Sequence, residues 1–313
     1  MTVAKLLVIC GPTASGKTAL AVALAKATGG EVVSADSMQI YRRMDIGTAK
    51  PTAEEMDGVP HHMLDVADPG EDYSVARYVS DATACVEDIL SRGKLPIVAG
   101  GTGLYIDNLL AGREFAAFTG QWRQKLQDRA QREGIEVLYR ELEQVDPQRA
   151  AKLHLADEKR IIRALEVWHE TGETITEHDR RTAALPPRYE AVRIGLTFAD
   201  RADMWDRIDR RVDQMMAAGL VEEVESLLSS GVPESCTAMQ AIGYKEMVAA
   251  LREGRAVAEA AEEIKLRSRQ YAKRQLTWFR REPSVKWITW EKIPDFSMAL
   301  QNSTAYLEET GLL

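Results

Sequence analysis

The sequence predicts an α/β fold, a P-loop-type parallel sheet flanked by helices and carrying a helical insertion domain. Three observations point there. Short apolar runs alternate with helical periodicity over the first third of the chain. A glycine-rich turn, Gly11-Pro12-Thr13-Ala14-Ser15-Gly16-Lys17-Thr18, follows an apolar run and precedes a helical stretch, with the spacing G-x-x-x-x-G-K-[ST]. After Gly120 the pattern turns wholly helical, and strand character returns only near Ala191.

Each element has its own signal. Leu6-Leu7-Val8-Ile9-Cys10 reads as a buried strand, and residues 19–27 as the helix after the turn. Glu31-Val32-Val33-Ser34 forms a second strand after the Gly29-Gly30 break. Residues 75–90 read as a helix, Leu95-Pro96-Ile97-Val98-Ala99 as a buried strand, and residues 104–110 as a helix after Gly100-Gly101-Thr102-Gly103. Residues 122–131 and 158–170 are amphipathic helices, and Pro186-Pro187 breaks the pattern. Strand Val192-Arg193-Ile194-Gly195-Leu196 then resumes the sheet within residues 191–198. Helices follow as far as Arg281, and residues 285–290 end the sheet. The expected division is a core of residues 1–112 and 191–313 around an insertion of residues 113–190.

The chain has 313 residues, 45% hydrophobic and 28% charged, enough to bury a sizeable core. It has no run of 18 apolar residues, so no membrane partner is expected. The N-terminus runs straight into a strand, without a signal peptide pattern. Cys10, Cys85 and Cys236 stand too far apart for a disulfide framework or a zinc site. A cytoplasmic location and a monomeric state are the expectations. The net charge of −8 argues, taken whole, against a nucleic-acid partner. Charge is segregated, however. Residues 265–281 hold Lys265, Arg267, Arg269, Lys273, Arg274, Arg280 and Arg281, and no acid. At 100° per residue, Ile264, Tyr271, Trp278 and Phe279 share one side of that helix, and Arg269, Lys273 and Arg280 lie roughly opposite. Such a face is ordinarily a solvated one; in an acidic protein this run favours phosphate binding.

The loop Gly11 to Thr18 carries the most specific chemistry. Its backbone N–H groups converge on an anion, and the following helix adds the positive end of its dipole. Lys17 supplies a point charge for a terminal phosphate, and the Thr18 hydroxyl can sit on Mg²⁺. The bland alternative is a chance glycine-rich turn. A nucleoside triphosphatase would end a neighbouring strand in Asp, whereas Ile97-Val98-Ala99 runs into Gly100-Gly101-Thr102, and the guanine-reading N-K-x-D is absent. The acid in place is Asp36, just past the second strand. On position alone it is a general base, a metal ligand or a helix N-cap. Thr102 either donates to a phosphate or serves a tight turn. His61-His62 has no partner at ligand spacing and reads as a loop or surface pair.

Taken together, these segments resemble the tRNA isopentenyltransferase (tRNA dimethylallyltransferase) family along nearly the whole chain. The matching stretches are the loop Gly11 to Thr18, Asp36-Ser37-Met38-Gln39-Ile40-Tyr41, and Met44-Asp45-Ile46-Gly47-Thr48-Ala49-Lys50-Pro51. They continue with His61-His62-Met63-Leu64-Asp65, Gly100-Gly101-Thr102-Gly103-Leu104-Tyr105 and Arg160-Ile161-Ile162-Arg163-Ala164-Leu165-Glu166-Val167. Ala241-Ile242-Gly243-Tyr244-Lys245-Glu246 and Lys273-Arg274-Gln275-Leu276-Thr277-Trp278-Phe279-Arg280 complete the set. Two places depart from the pattern: Met38 stands where a small residue is usual, and residues 111–119 lack prolines.

The resemblance implies transfer of a dimethylallyl group from dimethylallyl diphosphate to the exocyclic amine of the adenine just 3′ of the anticodon. The P-loop then grips the diphosphate leaving group, with Mg²⁺ on Thr18. Asp36 acts as base, Lys17 and Thr18 stabilise the departing charge, and Thr102 lies near the same diphosphate. The adenine must leave the stack to reach the site, where Asp36, Ser37, Met38 and Gln39 would meet it. The resemblance assigns the tRNA anticodon stem-loop to Lys159, Arg160, Ile161, Ile162 and Arg163. It adds Met239, Gln240, Ala241, Ile242, Gly243, Tyr244 and Lys245, and then Lys273, Arg274, Gln275, Leu276, Thr277, Trp278, Phe279 and Arg280. Arg123 on the insertion is a further candidate. The rival readings are an adenylate isopentenyltransferase acting on free AMP or ATP, a P-loop kinase of a small metabolite, and an RNA-binding protein with a vestigial P-loop. A free nucleotide requires neither the insertion nor the basic helix.

Overall fold

The computed structural model describes residues 3–112 and 121–313. The expected start of the insertion at residue 113, and the proline-free stretch from residue 113 onward, lie outside the described residues. The chain divides into two compact units, one of Met1–Leu110 with Arg188–Leu313, the other of Ala111–Pro187.

The first unit is built on a sheet. Its strands are β1 (Lys5–Cys10), β2 (Glu31–Ser34), β3 (His61–His62), β4 (Pro96–Gly100), β5 (Glu190–Phe198) and β6 (Val285–Trp290). Their order is β3-β2-β4-β1-β5-β6, and every pairing is parallel. In register, Val8 faces Val98 on one side and Arg193 on the other, and Val33 faces Val98. Strands covered on both faces should be apolar without alternation. Leu6, Leu7, Val8 and Ile9 meet that rule with no exposed surface. Each such side chain contributes about 1.5–3 kcal/mol by leaving water, so the strand ends that carry the site rest on a rigid base. One expectation is corrected: His61-His62 is neither loop nor free surface but the edge strand β3, paired with Val32 and Val33. His62 Nε2 lies 2.8 Å from Glu31, a buried carboxylate that also binds Arg92 and Lys94.

The helices α1 (Lys17–Thr28), α2 (Ala53–Met56), α3 (Val75–Ser91) and α4 (Gly103–Leu110) connect the first strands. The second unit is wholly helical among the described residues: α5 (Gln121–Glu133), α6 (Ile135–Val145), α7 (Pro147–Ala150), α8 (Glu158–Thr171) and α9 (Ile175–Ala183). Leu126, Leu138, Leu142, Ile161, Ile162 and Leu165 form its core. The first unit then resumes with α10 (Arg201–Ala217), α11 (Leu220–Ser229), α12 (Tyr244–Glu253), α13 (Val257–Phe279) and α14 (Phe296–Glu309). No described helix is long and apolar enough to cross a membrane.

Candidate functional site

The sheet order explains why distant residues meet. β2, β4 and β1 are neighbours, so the segments leaving their carboxyl ends share one crevice, where ligands of open α/β sheets sit. The P-loop leaves β1, Asp36 lies two residues beyond β2, and Gly101-Thr102 leaves β4. Backbone contacts knit these ends together: Ala35 N donates to Ala99 O (2.9 Å), and Thr102 N donates to Ala35 O (3.1 Å). A side-chain methyl on Gly100 would sit 2.2 Å from Ala35 O, so the approach demands glycine.

Gly16, at φ +90°, turns the P-loop into α1, a conformation that glycine adopts without cost. Phe296 packs beneath it, and Trp290 Nε1 donates to Ser15 O at 2.8 Å. The first-turn amides of α1 have no acceptor within the helix, the arrangement that suits a helix N-terminus to an anion. Not every residue of the loop can serve in that way. Pro12 has no N–H, and its carbonyl accepts from Ser15 Oγ (2.8 Å) and Lys17 Nζ (2.6 Å). Thr13 N donates to Gln275 Oε1 at 2.9 Å. Pro12 and Thr13, two of the eight residues expected to cradle an anion, are thus engaged in shaping the loop.

Cations from α10 complete the crevice. Arg207 Nε donates to Ala14 O at 3.2 Å. Arg211, half-buried on the same helix face one turn on, is held below the usual guanidinium value by burial, while Asp36 opposes that shift. Burial first, and Arg211 next, pull Lys17 down to about 8. A half-buried lysine beside a guanidinium gathers positive charge at the head of α1. Sequence reading missed Arg207 and Arg211, because α10 alternates them with Asp203, Asp206, Asp209 and Asp213 and looks like a surface ion-pair ladder. The usable signal was their spacing of four, which puts both on one helical face.

Asp36 is half-buried, and its Oδ1 accepts from Met38 N (2.9 Å) and Gln39 N (3.3 Å). It caps the following turn, and the hydrogen bonds to one oxygen fix the orientation of the other. Thr102 Oγ1 accepts from Ser37 N at 3.1 Å, so Thr102 ties the β4 end to the Asp36 turn. Gln39, expected to meet the base, is bonded within the protein. Its amide is consumed internally, accepting from Ser34 Oγ (3.2 Å) and donating to Thr48 O (3.3 Å) and Ala49 O (3.1 Å). It holds the loop around Thr48, and both N–H donors of its amide are taken within the protein. That loop is braced again by Glu223, which accepts from Asp45 N (2.8 Å), Ile46 N (2.8 Å) and Gly47 N (3.0 Å) and from the Tyr244 hydroxyl. Lys50, itself buried, bridges Tyr41 O and Asp65.

The residues expected to face RNA divide by burial. Met239, Ala241, Gly243 and Tyr244 are buried, with Tyr244 held by Glu223, while Gln240 and Lys245 are exposed and Ile242 is partly exposed. In the helical unit, Ile161 and Ile162 belong to the core. Arg123 and Arg163 both bind the buried Glu166, at 2.9 and 2.7 Å, and Lys159 and Arg160 are exposed. On α13, Gln275 and Phe279 are buried and Leu276 is partly so. These apolar and internally bonded side chains support the surface rather than form it. The basic run also proves divided. Lys265 pairs with Asp213, Arg267 with Glu263 and Arg269 with Asp209. Lys273, Arg274, Thr277, Trp278, Arg280 and Arg281 remain exposed at the C-terminal end. Arg274 lies over the Tyr271 ring and Arg281 over Trp278.

The described residues contain no cluster of three or more His, Cys, Asp or Glu able to hold a metal ion. The Thr18 hydroxyl at the head of α1 is an oxygen donor of the kind Mg²⁺ takes.

Comparison with known proteins follows the same lines. The sequence model of the IPP transferase family matches residues 39–282, and that of the isopentenyl transferase family matches residues 4–69. The chain is 47% identical over 308 residues to a tRNA dimethylallyltransferase of Acetivibrio thermocellus, covering 98% of each. Among solved structures it is similar to the full-length tRNA isopentenylpyrophosphate transferase of Bacillus halodurans, with 42% identity and a TM-score of 0.72 over 97% of this chain and 96% of that one. A eukaryotic dimethylallyltransferase acting on tRNA gives a TM-score of 0.86 at 28% identity, over 99% of this chain and 79% of that one.

Proposed function

The chain belongs to the IPP transferase family, and we propose on that premise that it transfers a dimethylallyl group from dimethylallyl diphosphate to N6 of the adenine 3′ of the anticodon in tRNA. The observation that carries this reading is the composition of the crevice: Lys17, Arg207 and Arg211 around a P-loop, with the carboxylate Asp36 beside them. Such a set suits a diphosphate that must leave and a nucleophile that must lose a proton.

In the reaction the adenine N6 lone pair forms a bond to the allylic carbon as the carbon–oxygen bond to diphosphate breaks. The bonding electrons leave with diphosphate. Lys17, Arg211 and the α1 amides would stabilise that charge where it develops. The Thr18 hydroxyl would hold Mg²⁺, which when bound would supply Lewis-acid neutralisation of the same charge. Asp36 would hold the amine and accept its proton through the oxygen that does not cap the turn. Thr102, through Ser37, would keep that carboxylate in position. Thr18 and Lys17 sit on consecutive residues at the head of α1, so one rigid element presents both. The adenine would be extruded from its loop to reach Asp36, a cost of about a few kcal/mol that is least where the base is not paired.

The reading is tested by offering labelled dimethylallyl diphosphate with tRNA, AMP or ATP. Label is expected in tRNA; label in AMP and none in tRNA would overturn it. Phosphoryl transfer from ATP to a small metabolite would favour a kinase instead.

The exposed end of α13 is proposed as part of the tRNA surface. The double substitution Arg274→Ala with Arg280→Ala is expected to weaken tRNA binding and to lower the slope of log K against log salt by about one per residue. Titrations at several salt concentrations check this. An unchanged slope would place the RNA elsewhere.

A further inference from the structure

One face of α13 points inward. Tyr271, Gln275 and Trp278 lie at i, i+4 and i+7 along it and meet the turn that leaves β4. The turn is shaped to receive them. A Cβ on Gly101 would stand 2.2 Å from Gln275 Nε2, and one on Gly103 would stand 2.2 Å from Trp278 Cδ1. Trp278 Nε1 donates to Asp107 Oδ2 at 2.8 Å, which pins the ring over Gly103. The Tyr271 hydroxyl is within reach of both Thr102 and Gln275. Those glycines therefore answer to α13, and not only to a bound phosphate.

Gln275 is the centre of this face. It is a polar side chain at 5% exposure in a helix otherwise rich in cations. Its Oε1 accepts from Thr13 N in the P-loop (2.9 Å), and its Nε2 donates to Gly101 O at the end of β4 (2.9 Å). One amide thus bridges the two loops on either side of the crevice, using a donor and an acceptor at once. An amide is the only neutral side-chain group that offers both in a fork of this geometry.

We propose that Gln275 is a positioning residue for the diphosphate half of the site, acting from within the helix whose outer face is offered to RNA. This rests on the diphosphate reading given above. The clamp fixes the spacing between Thr13 and Gly101, and so the span across which the P-loop amides and Thr102 face a common ligand. Removing it leaves the Thr13 N–H and the Gly101 carbonyl without partners and lets the loops separate. Trp278 keeps its place through its own bond to Asp107, and Lys273 and Arg274 project from the exposed face of the helix, away from the amide.

The test compares Gln275→Met, which removes both hydrogen bonds at similar volume, with Gln275→Glu, which keeps the acceptor for Thr13 N and loses the donor to Gly101 O. Inorganic pyrophosphate and tRNA are titrated separately, and KM is measured for each substrate, with melting temperature as a check of folding. Gln275→Glu, which loses one hydrogen bond and sets a carboxylate oxygen against Gly101 O, is expected to bind pyrophosphate about tenfold more weakly, and Gln275→Met, which loses both, at least as weakly, with KM for dimethylallyl diphosphate raised in step. Affinity and KM for tRNA are expected to stay within about twofold. If tRNA affinity fell while pyrophosphate binding held, Gln275 would be an RNA contact and the proposal would fail. It would also fail if a folded Gln275→Glu protein matched wild type in both titrations. A wild-type protein that bound no pyrophosphate would overturn the diphosphate reading itself and this proposal with it, so the two failures are told apart by the wild-type control.

Discussion

Replacing Asp36 by Asn is expected to lower kcat by about 10²–10⁴-fold, the usual worth of a positioned general base. The choice of Asn separates chemistry from structure. Oδ1 already accepts from Met38 N and Gln39 N, and the Asn oxygen can take over both bonds. The second oxygen becomes an NH₂ that cannot receive the N6 proton. Alanine would confound the result, since it also leaves the Met38 and Gln39 amides without that acceptor. Single-turnover transfer at saturating substrates measures the effect. Binding of tRNA and of pyrophosphate should stay near wild type, because neither depends on the proton. A folded Asp36→Asn protein that turned over like wild type would remove Asp36 from the role of base.

The second large effect concerns the cations. Arg211→Gln is expected to reduce kcat/KM for dimethylallyl diphosphate by about 10²–10³-fold, the magnitude found when one donor to a developing anion is removed. The same substitution makes a signed prediction about pH. Burial and the Arg211 charge together lower Lys17 to about 8 in the free protein. Below that pH Lys17 carries its charge and attracts diphosphate; above it the charge is lost. In wild type, kcat/KM for the diphosphate substrate should therefore fall as pH rises through about 8, since this ratio reports groups of the free enzyme. With Arg211 neutralised, one of the two influences lowering Lys17 disappears. The alkaline limb should then move to higher pH, even as the plateau drops. A pH profile that kept its wild-type midpoint in Arg211→Gln would show that the two cations do not share a site.

Much of the architecture could be read in advance because its causes are local. An apolar run covered on both faces marks a strand, and β6 at Val285–Trp290 and β2 at Glu31–Ser34 fall where the pattern places them. The P-loop announces itself because a sharp turn between strand and helix needs glycine at Gly16 whatever surrounds it. The pair His61-His62 carries no such signal, because a two-residue strand has no period of its own. It becomes a strand only by pairing with Val32 and Val33.

The candidate site was legible in its loops and not in its partners. By itself the sequence determined the α/β class, the P-loop and a lone carboxylate past the second strand, since each depends on residues within a few positions of one another. Tertiary structure decided which side chains remain free to act. Gln39 and Gln275 carry the same amide that would suit a base edge, but both are consumed within the protein, by Thr48 and Ala49 and by Thr13 and Gly101. Lys265 and Arg269 lie in the same basic run as Lys273 and Arg274, yet α10 neutralises the first two and leaves the others exposed. Arg207 and Arg211, hidden among acids in the chain, reach the P-loop and the surroundings of Asp36. The reason is physical. Periodicity and turn chemistry are short-range properties, whereas a hydrogen bond or ion pair is satisfied by whatever the sheet order brings near, and Gln275 meets Thr13 across 262 positions of chain.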